Sequence, residues 1–264
     1  MKNTKKRIHI VPPYLLNPTN PISVNLIGAG GTGSTFLTAL ARMNHALREM
    51  NHSGLQVTLF DHDLIEPANQ GRQLFYDCEV GMNKAVALIN RTNRCLGTNW
   101  KAVADRYENV AKGSDSHQAN LTISCVDTVD ARMKINAILR AKQKSDKGRD
   151  RPLYLIDLGN GRDSGQAILS TVGEIPQPES KKFNPIGKLG DIFESYPNLL
   201  DASRDNHEPS CSLAQALNQQ DLFINSVLSN MGASLLWSIF RLGVLETKGF
   251  FLNLSDFRST PIPI

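Results

Sequence analysis

The amino-acid sequence predicts an α/β fold with a doubly wound, mostly parallel sheet. The first observation is a short apolar run, residues 23–27, that ends in a glycine-rich turn at residues 28–33. The second is a helix-period segment and a further apolar run, residues 55–60, directly after that turn. The third is that this alternation recurs along the chain, which favours parallel strands joined by right-handed crossovers. Together they predict a Rossmann-like core.

The predicted elements follow from the apolar periods, taken in order. They are strands over 23–27, 55–60, 100–103, 121–126, 153–157 and 166–172, and helices over 32–50, 81–95 and 130–142. Prolines then punctuate a stretch with few apolar runs, which predicts a long crossover loop. Residues 213–240 are strongly apolar at helical spacing, and this predicts core packing or a subunit interface. The predicted divisions are an N-terminal segment, a nucleotide-binding core, a crossover loop and a C-terminal helical region that packs on the core, at 1–22, 23–175, 176–212 and 213–264.

Composition excludes several function classes. The net charge of +4 is small and scattered, which argues against nucleic acid as a partner. No stretch approaches the roughly 18 consecutive apolar residues of a membrane span. The basic residues 1–7 precede no long apolar core, so we expect a solvated, frayed terminus rather than a secretory signal. The four cysteines form no C-x-x-C pair, so we expect reduced thiols, a cytoplasmic location and no zinc site of the usual spacing.

The glycine turn is suited to a phosphate group. Gly28 permits a tight bend, and Gly30 and Gly31 leave no side chain where a phosphate would approach. Gly33 allows the helix to pack closely on the strand, and the helix N-terminus favours an anion. The turn therefore predicts nucleotide binding, although such turns also occur as plain strand-to-helix connections.

Two carboxylates follow the second predicted strand. Asp61 and Asp63 lie at its C-terminal end, where a carboxylate accepts hydrogen bonds from ribose hydroxyls. We assign the ribose to Asp61 and a second contact to Asp63, while one of the pair could instead cap a turn. This position disfavours a 2′-phosphorylated cofactor but does not separate ATP from NAD.

Arg72 favours ATP. NAD needs no guanidinium beyond the ribose carboxylate, whereas a triphosphate has negative charge to neutralise. Asn69 and Gln73 could hydrogen-bond phosphate or position the loop, and Lys84 adds a point charge at the front of the next helix. An isolated basic residue is usually a surface charge, but these four in this order predict a triphosphate site.

A magnesium ligand is predicted after the strand at 121–126. Asp127 lies at the edge where parallel sheets bind ligands, and Mg²⁺ takes one or two carboxylates plus substrate phosphates. Asp130 is a rival that more readily caps the following helix. Arg132 could pair with Asp127 or contact substrate.

These motifs resemble those of the ThiF/MoeB/ubiquitin-activating family of adenylating enzymes. The resemblance covers residues 23–157 and extends more weakly to the C-terminal helix. The sequence around Cys211, residues 208–212, is most similar to ThiF-type proteins of plasmid-associated PRTRC gene clusters. The matching motifs, in family order, are Gly28–Gly33, Asp61-x-Asp63, Asn69-x-x-Arg72-Gln73, Lys84 and Asp127-x-x-x-x-Arg132.

The resemblance implies an activity. Members use Mg-ATP to adenylate the C-terminal carboxylate of a ubiquitin-like or sulfur-carrier protein that ends in glycine, and they release pyrophosphate. Arg72 and Lys84 would neutralise charge and Asp127 would hold Mg²⁺. A homodimer through the apolar C-terminal helices and a conjugating enzyme are further implications.

Some members then form a thioester. Cys211, with His207 four residues upstream, is the candidate for that step. It could equally be a remnant of a lost zinc site or a buried small residue, because the paired zinc cysteines of the family are missing.

Two other functions explain part of the pattern. An NAD-dependent oxidoreductase would use the glycine turn and Asp61 but has no use for Arg72 and Lys84. A non-catalytic nucleotide-binding scaffold that pairs with an active subunit would use all of them. ATP-dependent adenylation is the predicted function.

Overall fold

The structure is a computed structural model that describes residues 5–111, 117–145, 148–197 and 220–264. The strands are β1 (Arg7–Ile10), β2 (Ile22–Ile27), β3 (Leu55–Phe60), β4 (Lys101–Val103), β5 (Leu121–Ser124), β6 (Tyr154–Asn160), β7 (Ser164–Thr171), β8 (Asn184–Pro185), β9 (Val244–Leu245), β10 (Thr247–Asn253) and β11 (Arg258–Pro263). The helices are α1 (Pro13–Leu16), α2 (Gly31–Glu49), α3 (Lys84–Leu96), α4 (Tyr107–Val110), α5 (Val129–Ser145), α6 (Ile192–Ser195) and α7 (Ile224–Leu242).

Eight strands form one sheet in the order β11-β10-β7-β6-β5-β2-β3-β4. Strands β6, β5, β2, β3 and β4 are parallel, and β7, β10 and β11 are antiparallel. This confirms the predicted doubly wound, mostly parallel sheet. Because β3 and β5 lie on opposite sides of β2, the connections diverge there and open a crevice at the carboxyl ends of the strands.

Helices cover both faces of the sheet. Ile22, Val24 and Leu26 of β2 alternate toward the main core, which also contains buried side chains of α2, α3 and α7. Ile27 and Phe60 point to the other face, where they pack with side chains of α4 and α5. Burial on both faces fixes the register of the central strands, and so it fixes where their carboxyl ends lie.

The helix boundaries have local causes. Asn83 caps α3, since its side-chain oxygen accepts a hydrogen bond from the Val86 N–H at 3.1 Å. The helix therefore begins at residue 84 rather than at the predicted residue 81. Gly97 ends α3 and Gly243 ends α7, with φ angles of +62° and +64° that favour glycine.

The C-terminal residues correct the predicted helical region, 213–264. Helix α7 packs on α2, β6 and β7, so its apolar side chains belong to the core of the same chain. After Gly243 the chain forms strands, and β10 pairs with the edge of β7. The segment from Thr247 to Asn253 contains two phenylalanines and alternates in burial on the sheet, which suits a strand better than a helix. The four domain limits themselves stay predictions.

The N-terminal segment also differs from the prediction. The sequence predicts a frayed terminus for residues 1–7, but Arg7 begins β1 (Arg7–Ile10), which is the central strand of a small sheet with the order β8-β1-β9. His9 is fully buried there; one ring nitrogen lies 2.6 Å from the Ile186 carbonyl oxygen and the other 2.7 Å from the Tyr154 hydroxyl. Pairing with β8 and β9 supplies the partners that a terminus normally lacks.

The two edges of the large sheet are short or rich in proline. Strand β11 is one edge and carries Pro261 and Pro263 at alternate positions. Strand β4 is the other edge, with three residues that include the exposed Lys101. Among the helices of the described ranges, none has the length and apolar character that a membrane span requires.

Candidate functional site

A cleft of about 370 Å³ opens at the carboxyl ends of the parallel strands. It brings together most of the residues that the sequence singled out. Gly33 and Asn69 do not line it. The predicted residues that line it are Gly28, Gly30, Gly31, Asp61, Asp63, Arg72, Gln73, Lys84 and Asp127.

The glycine turn is closely packed at Gly28 and Gly33 and open at Gly30. A Cβ atom on Gly33 would lie 1.9 Å from the Gly28 carbonyl oxygen, so Gly33 serves helix–strand packing. Gly28 has φ of +95°, and a Cβ there would lie 2.8 Å from the Cys125 carbonyl oxygen. A Cβ on Gly30 would have no neighbour within 4 Å. The turn therefore presents open backbone at Gly30, as phosphate binding requires.

Asp61 ties the end of β3 to the glycine turn. One carboxylate oxygen accepts the Ala29 N–H at 2.6 Å, and the other accepts the Asp63 N–H at 2.8 Å. Burial raises the pKa of Asp61, and the two backbone donors oppose that shift. Each oxygen keeps a lone pair that a ligand hydroxyl could use, so the ribose contact stays a prediction.

Asp63 and Lys84, which both line the cleft, form an ion pair. The Lys84 ammonium nitrogen lies 3.0 Å from an Asp63 carboxylate oxygen. The lysine side chain is 9% exposed and the aspartate side chain 50% exposed. The exposed carboxylate thus neutralises a buried ammonium group at the start of α3.

Arg72 is held differently. Its Nη1 donates a hydrogen bond to the Gln220 side-chain oxygen at 2.8 Å, and its Nε is buried without a partner in the described ranges. Burial lowers the pKa of this guanidinium. The neighbouring Gln73 also has a buried side-chain oxygen that lacks a partner within those ranges. Asn69 instead accepts the Glu66 N–H at 2.9 Å and positions the loop.

The region after β5 contains the predicted metal ligand. Asp127 is exposed and faces the cleft. Its rival Asp130 forms a surface ion pair with Lys134, 2.5 Å apart and one helical turn away. The predicted pairing of Arg132 with Asp127 is wrong, because Arg132 forms a buried ion pair with Asp157. Ile135 and Leu139 of helix α5 pack with Leu155 of β6, and Arg132 also donates a hydrogen bond to the Leu158 carbonyl oxygen of β6 at 3.0 Å.

The carboxylates fit a divalent cation to different degrees. Ligand atoms of Asp61, His62 and Asp63 lie within 4.8 Å of one another. However, both oxygens of Asp61 accept backbone hydrogen bonds and Asp63 pairs with Lys84. Asp127 has no such partner among the residues described. A carboxylate that faces this cleft and has no partner among the described residues fits Mg²⁺, which prefers oxygen ligands and phosphates.

Residues 15–156, more than half of the chain, match the ThiF family. The chain belongs to the ThiF family. Among its relatives, ubiquitin-like modifier-activating enzyme 5 of Gallus gallus is 28% identical over 145 residues, 50% of this chain and 34% of the relative. The enzyme of the same name from Aedes aegypti is 30% identical over 127 residues, 43% of this chain and 30% of the relative. The chain thus spans about a third of the length of these curated relatives.

Solved structures of ThiF-type proteins share the fold. PaaA matches with a TM-score of 0.59 and 16% identity, over 92% of this chain and 64% of PaaA. E. coli MccB with ATP matches with a TM-score of 0.57 and 16% identity, over 94% of this chain and 64% of MccB. These matches confirm the predicted Rossmann-like architecture of the ThiF-family chain.

The cysteines of this ThiF-family chain have distinct settings. Cys211 and His207 lie outside the described residues, so the thioester stays a prediction. Cys125 directly follows β5 and lines the cleft, and burial raises the pKa of its thiol, which suits a packed residue rather than a nucleophile. Cys78 and Cys95 are exposed.

Sequence reasoning missed a cluster of amide side chains, Asn160, Gln220 and Asn225, which we call the amide cluster. Its members line the same cleft as the ion pair of Asp63. The Asn225 side chain accepts a hydrogen bond from the Thr32 hydroxyl at 2.9 Å. The sequence did contain one signal for this cluster, a helix-capping aspartate. The Asp221 carboxylate accepts hydrogen bonds from the N–H groups of residues 223 and 224 at the start of α7. That capping position places Gln220 and Asn225 at the start of the helix.

Proposed function

We propose that this ThiF-family chain is an ATP-dependent adenylyltransferase that joins AMP to the C-terminal carboxylate of a ubiquitin-like or sulfur-carrier protein. The observation that carries the proposal is an open glycine turn in one cleft with an Arg72 guanidinium that forms no ion pair within the described ranges. Relatives named ubiquitin-like modifier-activating enzyme 5 support it. So do the neighbouring structures of E. coli MccB with ATP and with its partner MccA.

In the proposed reaction one bond forms and one bond breaks at the α-phosphorus of ATP. A carboxylate oxygen of the protein substrate attacks the α-phosphorus of ATP, and the bond to the β-phosphate bridging oxygen breaks. Pyrophosphate leaves and an acyl-adenylate remains. Asp61 and Asp63 would bind the ribose, Lys84 and Arg72 would offset the phosphate charge, and N–H groups of the glycine turn would orient the phosphates. Catalysis is then mainly positioning and electrostatic stabilisation.

Asp127 would hold Mg²⁺ against the phosphates, and the bound ion would supply further positive charge. Homodimer formation, transfer to a thioester at Cys211, a downstream conjugating enzyme, a cytoplasmic location and the PRTRC-type subfamily are further predictions of the family resemblance.

ATP–pyrophosphate exchange tests the proposal. The purified chain is assayed with and without a ubiquitin-like protein, encoded beside it, that ends in a free glycine carboxylate. We expect exchange that depends on this partner. Arg72→Ala and Asp127→Ala should each reduce exchange by about 10²-fold, the usual effect of removing one electrostatic contact to a transition state. Asp130→Ala is the matched control, because it removes a nearby exposed aspartate that pairs with Lys134 outside the cleft.

Each other outcome has a distinct meaning. Normal exchange in Arg72→Ala and in Asp127→Ala would overturn the residue assignments. ATP binding without exchange, for every partner tried, would favour the non-catalytic scaffold. Tight NADH binding that ATP does not displace would favour an oxidoreductase.

A further inference from the structure

Arg72 keeps most of its hydrogen-bonding capacity free. A guanidinium has five N–H donors. Among the residues described, one of these donors is satisfied by a side chain, Nη1 on the Gln220 oxygen at 2.8 Å. The buried Nε has no partner there, and no aspartate or glutamate of the described ranges forms an ion pair with Arg72. The positive charge is therefore oriented but not neutralised.

Gln220 is itself held in place on several sides. Its side-chain oxygen also accepts a hydrogen bond from the Asn225 amide at 2.9 Å. Its side-chain nitrogen donates to the Gly161 carbonyl oxygen at 3.3 Å. Asn225 in turn accepts from Thr32, in the first turn of the helix that follows the glycine turn. A continuous chain of hydrogen bonds thus connects Arg72 to the phosphate end of the cleft.

We infer that Gln220 is a positioning residue for the nucleotide: it directs the Arg72 guanidinium into the cleft while leaving its charge for the phosphates. This inference rests on the proposed function, since it assigns a role to Gln220 at the same ATP site. The neutral amide is essential to the role, because a carboxylate at this position would form a charge-assisted pair with the guanidinium and compete with phosphate.

Lys84 shows the opposite arrangement in the same cleft. Its ammonium group already pairs with Asp63 at 3.0 Å, so a phosphate must compete with that carboxylate or share the lysine with it. Arg72 meets no such competitor in the described part of the chain. Changing Gln220 should therefore alter the affinity for phosphate groups specifically.

The test measures binding of ATP and of adenosine by calorimetry, using the full chain. Gln220→Met removes the acceptor at similar length, and we expect about fivefold weaker ATP binding with adenosine binding changed less than twofold. Gln220→Glu keeps the shape and adds a charge, and we expect at least tenfold weaker ATP binding. Gln56→Glu, a change of equal charge at the far end of β3, is the control and should bind ATP as the wild type does.

A double-mutant cycle decides whether Gln220 acts through Arg72. In an Arg72→Ala background, Gln220→Met should change ATP affinity less than twofold. An equal loss in both backgrounds, or an equal loss for adenosine, would overturn the inference. So would wild-type ATP affinity in Gln220→Glu, a reading that stands even where Gln220→Met does not fold. A wild-type chain that binds no ATP would overturn the proposed function itself, and the inference with it.

Discussion

The two walls of the cleft handle charge in opposite ways. The first wall consists of the glycine turn, the end of β3 and the first turn of α3. Its charges are matched, because Asp61 accepts two backbone N–H groups and Asp63 pairs with Lys84. The second wall consists of Arg72 and the amide cluster, and among the residues that the structure describes the Arg72 guanidinium contacts a neutral side chain, Gln220.

The two walls therefore differ in what they would offer a ligand. The first wall would offer a fixed geometry, and the second wall would offer electrostatic attraction. The charged side chains of the first wall have partners without a ligand, so under the proposed function this wall would orient the sugar and, through the open backbone at Gly30, the phosphates. Within the described part of the chain, Arg72 in the second wall has unused donors and no paired carboxylate, and it is partly buried, where electrostatic interactions are stronger than in water. A phosphate group would therefore gain most of its binding free energy at the second wall.

The largest effect should come from breaking the buried ion pair of Asp157 with Arg132, a residue that also lines the cleft. Arg132→Met leaves the Asp157 carboxylate, 6% exposed, without its partner. We expect the free energy of unfolding to fall by about 3–5 kcal/mol in a urea titration. The double variant Arg132→Met with Asp157→Leu should recover much of that loss. A loss below about 1 kcal/mol in Arg132→Met would show that this pair does not support the cleft.

Gly33→Ala should break the turn that joins the walls. Its Cβ would overlap the Gly28 carbonyl oxygen at 1.9 Å, so the backbone must move and the free energy of unfolding should fall by about 3 kcal/mol. Gly30→Ala is the matched control, since its Cβ meets no atom within 4 Å. It should cost less than about 1 kcal/mol, as measured by thermal unfolding. Equal losses in the two variants would contradict the close packing described for Gly33.

The ion pair of the first wall should respond asymmetrically. Asp63→Asn leaves the Lys84 ammonium, 9% exposed, without its ion-pair partner, and we expect a loss of about 1–2 kcal/mol. Lys84→Met leaves a half-exposed carboxylate that water can solvate, so its loss should be below about 1 kcal/mol. Chemical denaturation of both variants checks this order. The reverse order would mean that Asp63, rather than Lys84, depends on the pair.

The smallest effect concerns the pH dependence of folding stability, for which we expect His9, a residue of neither wall, to be responsible. Burial lowers the pKa of His9 below its usual value of 6.5, so the unfolded chain binds the proton more readily. Stability is then complete above about pH 6.5 and falls as the pH drops below that value, by at most about 1.4 kcal/mol per pH unit for one proton. His9→Gln should flatten this dependence in thermal unfolding, whereas the exposed His45→Gln should not. An unchanged pH dependence in His9→Gln would assign the acid loss to other groups.

Local patterns explain why most of the fold and the first wall could be predicted. The glycine turn, Asp61 and Lys84 belong to consecutive elements whose order is visible in the sequence. The parallel strands needed only their apolar runs, because a buried strand reads as a continuous hydrophobic segment. Each of these inferences depended on residues close together along the chain.

In the second wall, Arg72 was predicted from its motif, but the amide cluster and its contact with Arg72 could not be predicted in this way. Arg72 and Gln220 are 148 residues apart, and no spacing rule connects them. Arg132 lies nearer in sequence to Asp127 than to Asp157, but packing of α5 on the sheet decides the partner. Strand β10 escaped prediction because residues 247–253 follow a long apolar helix, and pairing with β7 is a long-range interaction.

The proline-bearing edge strand has a consequence for the behaviour of the protein at high concentration. Exposed sheet edges act as templates for strand addition and aggregation. At alternate positions of β11, Pro261 and Pro263 have no N–H to offer an incoming chain. The opposite edge, β4, offers only three residues and a lysine. A strand from another chain would therefore form few hydrogen bonds with either edge of this sheet. Fibre-like self-association by strand addition is disfavoured at both edges.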